Sequence, residues 1–225
     1  MTELILVQSK IRAHARDSLS KETFKKWYDT VHMRDLLLTP GISVALRYQQ
    51  TASPEPEFPY LAVYPRVSRE WVHSPTCEFL RVPLCDPMLP GERGAVFESA
   101  DFVMGAYEEY GGQEAVEEEE GGVLVPAKAL VFVPVDSSVV GSAAVADVLS
   151  VSTGGLTPRR SQMLRYDFSP AGQQPRHAEI AKGELFVGGE YVAMHEFDEV
   201  PEGVVLGKGA VVYMLIGALG DVRQE

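Results

Sequence analysis

The sequence predicts an α+β fold: two β-α-β-β-α-β repeats in one chain, their antiparallel sheets packed into a single pseudo-dimeric α/β barrel. Three observations lead there. Alternating apolar segments of strand length recur along the 225 residues. One well-patterned helix follows the first of them. Short segments then return in the same order in the second half, "ALRYQQ" as "MLRYDF" and "YLAVYPRV" as "YVAMHEFDEV".

Taken in order, residues 3–11, "ELILVQSKI", read as a first strand. Ser18 or Ser20 caps the next helix, with Glu22 in its first turn. Phe24, Trp27, Tyr28 and Val31 recur at helical spacing, and Pro40-Gly41 stops the run. "ISVALRYQQ" (42–50) alternates as a strand does, "TASPEPEF" (51–58) is turn-rich, and "PYLAVYPRV" (59–67) is a further strand. A short helix is expected near 69–81, then the Pro/Gly-rich "CDPMLPGERG", then a fourth strand at 100–110. That order is the ferredoxin-like arrangement.

Residues 1–110 thus form one ferredoxin-like repeat. Residues 111–122, "GGQEAVEEEEGG", read as an exposed acidic connector flanked by glycine. Residues 123–225 form a second, degenerate ferredoxin-like repeat, with strands at 129–137, 163–168, 191–200 and 210–219. Its small residues leave room for only a short helix around 142–150. A sheet with helices on one face must bury its other face. Packing two such bare faces together encloses a cavity of the kind that takes small ligands.

Composition excludes several functions. The net charge of −12 argues against nucleic acid and against a polybasic membrane patch. No run approaches 18 apolar residues, so no membrane partner is expected. "MTELILVQSK" lacks the basic start of a signal peptide, so a cytoplasmic location is expected. Cys77 and Cys85 are then expected as free thiols. The chain has no CxxC, HExxH, GxGxxG, GxxxxGK[ST] or GxSxG motif. Its five histidines, at 14, 32, 73, 177 and 195, show no metal-ligand spacing. No metal and no cofactor are expected.

"WYDTVHMRDLLLTPGISVALRY", with the following "YLAVY", resembles the EthD-like branch of the dimeric α/β-barrel superfamily. That pattern places W-Y-x-x-x-H and L-L-x-x-P-G on and after the first helix, then an R-Y strand and a Y-L-A-x-Y strand. The resemblance covers residues 3–67 well and 100–110 loosely; the second half shares only its strands. It implies small-molecule chemistry without an organic cofactor, in the company of polyketide cyclases, decarboxylases, lactone isomerases and quinone-forming monooxygenases. Members usually carry one repeat per chain and pair two sheets. Here the pairing would be internal, giving a monomer with an internal pseudo-dimer, or a homodimer.

On a regular helix Tyr28, His32 and Asp35 fall at i, i+4 and i+7 and share a face, while Asp29 sits three residues before His32. Histidine exchanges protons near neutral pH. A carboxylate on one ring nitrogen fixes the tautomer and favours the imidazolium, leaving the other nitrogen for substrate. A tyrosine hydroxyl can bond a carbonyl as it becomes an enolate. The catalytic candidates are therefore His32 as base or acid, Asp35 or Asp29 as its orienter, and Tyr28 on the substrate oxygen. The plain alternative is a structural histidine at a helix end. Trp27, Tyr64, Arg47 and His195 are candidate substrate-binding residues, with His195 at the repeat position of Tyr64 and Arg165 at that of Arg47. The expected reaction is a cofactor-independent lyase, cyclase or isomerase step on a small carbonyl compound such as a polyketide or aromatic intermediate. A non-catalytic ligand binder and a cofactor-free monooxygenase are the alternatives.

Overall fold

In a computed structural model, the chain is described over residues 2–50, 56–74, 82, 84–114, 124–140, 145–152, 157–168, 190–199 and 210–220. Strand β1 (Thr2–Ile11) leads to a helical stretch of three parts: α1 (Lys21–Trp27), a π-helical turn (Tyr28–His32) and α2 (Met33–Leu37). Ser20 caps it, its hydroxyl accepting from the Thr23 amide at 3.1 Å. The helix ends before Pro40-Gly41, as the sequence predicts. Gly41 has a packing role as well: a Cβ there would lie 2.1 Å from the Trp71 ring. Strands β2 (Val44–Gln50) and β3 (Tyr60–Ser68) follow, then the short helices α3 (Arg69–His73) and α4 (Val96–Ser99), then β4 (Ala100–Glu114). The second half carries β5 (Ala129–Val135), α5 (Ser137–Val140), α6 (Val145–Ser152), β6 (Arg160–Phe168), β7 (Tyr191–Phe197) and β8 (Val211–Gly220).

The eight strands close into one antiparallel barrel in the order β1-β3-β2-β8-β5-β7-β6-β4. Closure removes every free edge, and with it the row of unpaired amides that an open sheet presents. Two seams join the halves. Strand β2 pairs with β8 from Val44↔Gly220 to Gln50↔Tyr213, and β4 pairs with β6 from Ala106↔Phe168 to Glu114↔Arg160.

Alternation along the strands sorts the apolar side chains into three layers. Leu6, Leu46, Tyr48, Leu61, Val63, Phe132, Leu164 and Met194 fill the barrel interior. Ile5, Val7, Ala45, Ala62 and Tyr64 face outward against Phe24, Trp27, Tyr28, Met33 and Leu36. On the other half Val131, Met163 and Ala193 face outward against Val140, Val148 and Leu149 of α5 and α6.

The helix expected near 69–81 spans Arg69–His73 and ends where Ser74 turns extended, with ψ of 138°; residues 75–81 lie outside the described residues. Strand β4 does not stop at 110. It runs into the expected connector, with Gly111↔Met163 and Gly112↔Gln162 paired across the seam. Pairing with β6 overrides the poor strand propensity of glycine, and the register slip at Glu109/Gly111 absorbs the mismatch. The rest of the connector lies outside the described residues. Among the described residues, no helix is long and apolar enough to cross a membrane.

Candidate functional site

The π turn decides which side chains face the sheet. The Met33 amide bonds the Tyr28 carbonyl, five residues back rather than four. The extra residue moves the buried face on by one position. Phe24, Trp27 and Tyr28 are buried as the α spacing predicts, but the face then continues through His32, Met33 and Leu36. Val31 and Asp35 turn aside and are only half-buried. The expectation that Tyr28, His32 and Asp35 share one face is thus corrected.

His32 sits in a tight aromatic and cationic cluster between helix and sheet. Its ring stacks on Trp27 at 5.0 Å between centroids and meets Tyr28 edge-on at 5.0 Å. Arg47, on the outer face of β2 and 1 % exposed, lays its guanidinium 4.4 Å from the Tyr28 ring centre. Asp29 does not reach His32. Its carboxylate accepts from Arg47 Nη1 at 3.0 Å and from Lys25 Nζ at 2.5 Å. The expected orienting carboxylate is therefore missing: His32 Nδ1 is buried with no hydrogen-bond partner. The imidazole is not held as a cation either. Burial, and secondarily the charge of Arg47, push its pKa down to about 3. Burial likewise raises the Tyr28 hydroxyl to about 12, so it stays a donor across the ordinary pH range.

Four side chains of this cluster keep a buried polar atom unpaired: Trp27 Nε1, Tyr28 Oη, His32 Nδ1 and Arg47 Nη2. The Ser9 hydroxyl stands near Tyr28, outside hydrogen-bond geometry. Buried polar groups are nearly always satisfied, so four in contact with one another require a reason.

The remaining candidates lie elsewhere. Tyr64 is wholly buried on the outer face of β3, beneath the helix, and burial holds its hydroxyl well above the ordinary value. His195 is at the matching position on β7, wholly buried, with Ser161 Oγ 2.8 Å from its Nδ1; burial lowers its pKa to about 4. Tyr64 and His195 both face a helix layer and not the barrel. Arg165 also faces outward and pairs with Glu108.

A cavity of about 260 Å³ does open inside the barrel. Leu46, Val63, Leu130, Leu164 and Met194 line it, and Arg66, Arg159, Arg160, Glu109 and Glu196 stand at its mouth. Its described lining includes none of His32, Tyr28, Trp27, Arg47, Tyr64 and His195. His32 therefore does not face the barrel hollow: the helix bearing it packs on the opposite face of the sheet. The sequence reading missed both this mouth and a cluster at Glu3, His73 and Asp167, whose ligand-type atoms lie within 4.8 Å of one another. Arg69 supplies countercharge there, at 3.5 Å from Glu3 and 3.3 Å from Asp167. Cys85 is a free, exposed thiol, and Cys77 lies outside the described residues.

No protein-family model matches the chain, and no curated protein matches it. Among solved structures, an anthrone oxidase-like protein aligns over 98% of this chain and 93% of its own, with 10% identity and a TM-score of 0.43. A protein described as chlorite dismutase-like aligns over 96% of each chain, with 10% identity and a TM-score of 0.45. At that identity neither fixes a reaction for this chain.

Proposed function

We propose that the protein is a cofactor-independent enzyme that moves a proton on a small carbonyl compound, such as a polyketide or aromatic intermediate. The site is the layer between helix and sheet at Trp27, Tyr28, His32 and Arg47. One observation carries this reading: four contacting side chains each hold a buried polar atom without a partner. A ligand oxygen supplies what such groups lack. The π turn supports the same reading, because such turns recur at functional sites.

The chemistry follows from the charges. The substrate carbonyl accepts from Arg47 Nη2 and the Tyr28 hydroxyl. His32, neutral in the empty site, takes the proton from the adjacent carbon, and the bonding pair moves onto the oxygen as an enolate. Arg47 stabilises that oxyanion. The new negative charge in turn offsets the repulsion between Arg47 and the imidazolium, so His32 becomes a stronger base when substrate is bound. Returning the proton to another carbon isomerises the substrate; attack of the enolate carbon on a second carbonyl closes a ring. Asp29 acts here on Arg47, as a positioning residue.

We also read the barrel as a pseudo-dimer of two ferredoxin-like repeats. In support, each run of four strands has the order 4-1-3-2 when counted from its own first strand.

The test is hydrogen–deuterium exchange at the carbon next to the carbonyl of 2-tetralone in D₂O, followed by NMR. Wild-type protein should accelerate exchange. His32→Ala should abolish the acceleration while leaving the far-ultraviolet circular dichroism unchanged, and Tyr28→Phe should lower it by about tenfold to a hundredfold, the range for one lost oxyanion donor. Full acceleration in His32→Ala would remove the mechanism and leave the second reading, a non-catalytic binder, which the low pKa of His32 in the empty site favours.

A further inference from the structure

The barrel mouth carries a feature that the proton-transfer site does not use. Arg66, the penultimate-but-one residue of β3, has φ of +58°, the one non-glycine residue with positive φ among the described residues. The register there shows why. Glu3 pairs with Val67 and Ile5 with Tyr64, so Leu4 alone stands opposite Pro65 and Arg66. This is a bulge on β3 at the rim of a barrel, a position where bulges re-aim a side chain. Left-handed backbone strains an ordinary residue, and glycine would avoid the strain. An arginine kept in that conformation points to a use for its side chain.

Arg66 lines the mouth of the 260 Å³ cavity. An apolar cavity of about 150 Å³ takes benzene, so this one has room for a body of about two fused rings. Its walls suit such a body, because Leu46, Val63, Leu130, Leu164 and Met194 come from five different strands of the interior. Elsewhere in the barrel Gln8 Nε2 donates to Tyr213 Oη at 2.7 Å. Charged side chains ring the open end. Glu196 is held by Arg159 at 2.9 Å, and Arg159 also meets Asp198 at 3.1 Å, so that pair forms a fixed wall. Glu3 turns outward onto His73 at 3.2 Å. Glu109 accepts from Gln162 Nε2 at 2.9 Å and stands 3.8 Å from Arg160. Arg66, which is exposed, and Arg160 both line this end.

We propose that the open end of the barrel is a second binding site, separate from His32, for small bicyclic or similarly sized organic acids. The ring system enters among the interior leucines, and the carboxylate meets Arg66 and Arg160 at the mouth. Arginine suits a planar carboxylate because its donors form a matching fork.

The experiment titrates the full-length protein with 2-naphthoate by isothermal calorimetry, with uncharged 2-naphthol as the comparison. Naphthoate should bind and naphthol should bind more weakly by about tenfold, the value of a charge-assisted hydrogen bond. Arg66→Gly should raise the melting temperature, because it relieves the backbone, and weaken naphthoate by about tenfold. Leu130→Trp should fill the cavity and abolish binding, and His32→Ala should leave naphthoate affinity unchanged. If Leu130→Trp does not fold, Arg66→Gly decides alone. No naphthoate binding, equal binding of naphthol, or undiminished binding in Arg66→Gly would each overturn the proposal.

Discussion

Arg47 sets the electrostatics of the layer beneath the helix. It is a guanidinium at 1 % exposure, paired through one nitrogen to Asp29 and laid on the face of Tyr28. Burial lowers the basicity of an imidazole, and at His32 the charge of Arg47 lowers it further. His32 and His195 therefore stay neutral in the folded chain down to about 3 and about 4. In the unfolded chain both titrate near about 6.5. Below that value the unfolded state binds more protons than the folded state, so stability is complete above pH 6.5 and falls as pH falls. Each histidine contributes a slope of up to about 1.4 kcal/mol per pH unit. Urea midpoints measured between about pH 6.5 and 5 should decline, and His32→Gln should shallow the decline. An unchanged slope in that variant would show that His32 is not a buried neutral ring. Sequence spacing made Trp27, Tyr28 and His32 legible, because aromatic and ionisable residues clustered on one helical turn. It did not reveal the partner of Asp29, since Arg47 lies 18 positions away and meets it only across the helix–sheet packing.

At the scale of elements, the π turn is the feature that local reasoning could not count. Every residue from Lys21 to Leu37 reads as helix, and the hydrophobic spacing up to Tyr28 fits 3.6 residues per turn. Past Tyr28 a regular helix would bury Val31 and Asp35, and the observed face follows Met33 and Leu36 instead. That apolar pair was the available signal, since it fits only a face advanced by one residue. Deleting Thr30, which is exposed, should convert the π turn to α while Phe24, Tyr28, Met33 and Leu36 remain on one face. Circular dichroism and melting temperature should be preserved, and proton exchange on 2-tetralone should be lost because the His32 ring moves relative to Tyr28. Unfolding of this variant would mean instead that the packing itself needs the extra residue. The strands were more legible. Alternation located all eight; β6 extends β4 past its expected end at Gly111 and Gly112, while β2, β5 and β7 are shorter than expected.

In the whole molecule, a single closed barrel separates two spaces by one sheet thickness. The interior holds the cavity with its charged mouth, and the outer layer holds the histidine cluster. Ion pairs cross the β4–β6 seam on the outside, with Arg69 bonding Glu108 at 2.6 Å and meeting Asp167 at 3.3 Å, and Arg165 pairing with Glu108. The recurring L-R-Y and Y-x-A segments placed strands in both halves of the chain, and those strands join in one closed barrel. They did not foretell which face of the sheet the His32 helix covers, since alternation assigns faces only relative to one another. The most direct measurement is a two-dimensional ¹⁵N–¹H spectrum of the histidine rings, at neutral pH and during titration with 2-tetralone. The prediction is a neutral His32 ring whose nitrogen signals shift as ligand is added, with His195 unmoved. A charged His32 ring, or His32 signals that stay in place while the ligand binds, would contradict the placement of the site in the helix–sheet layer.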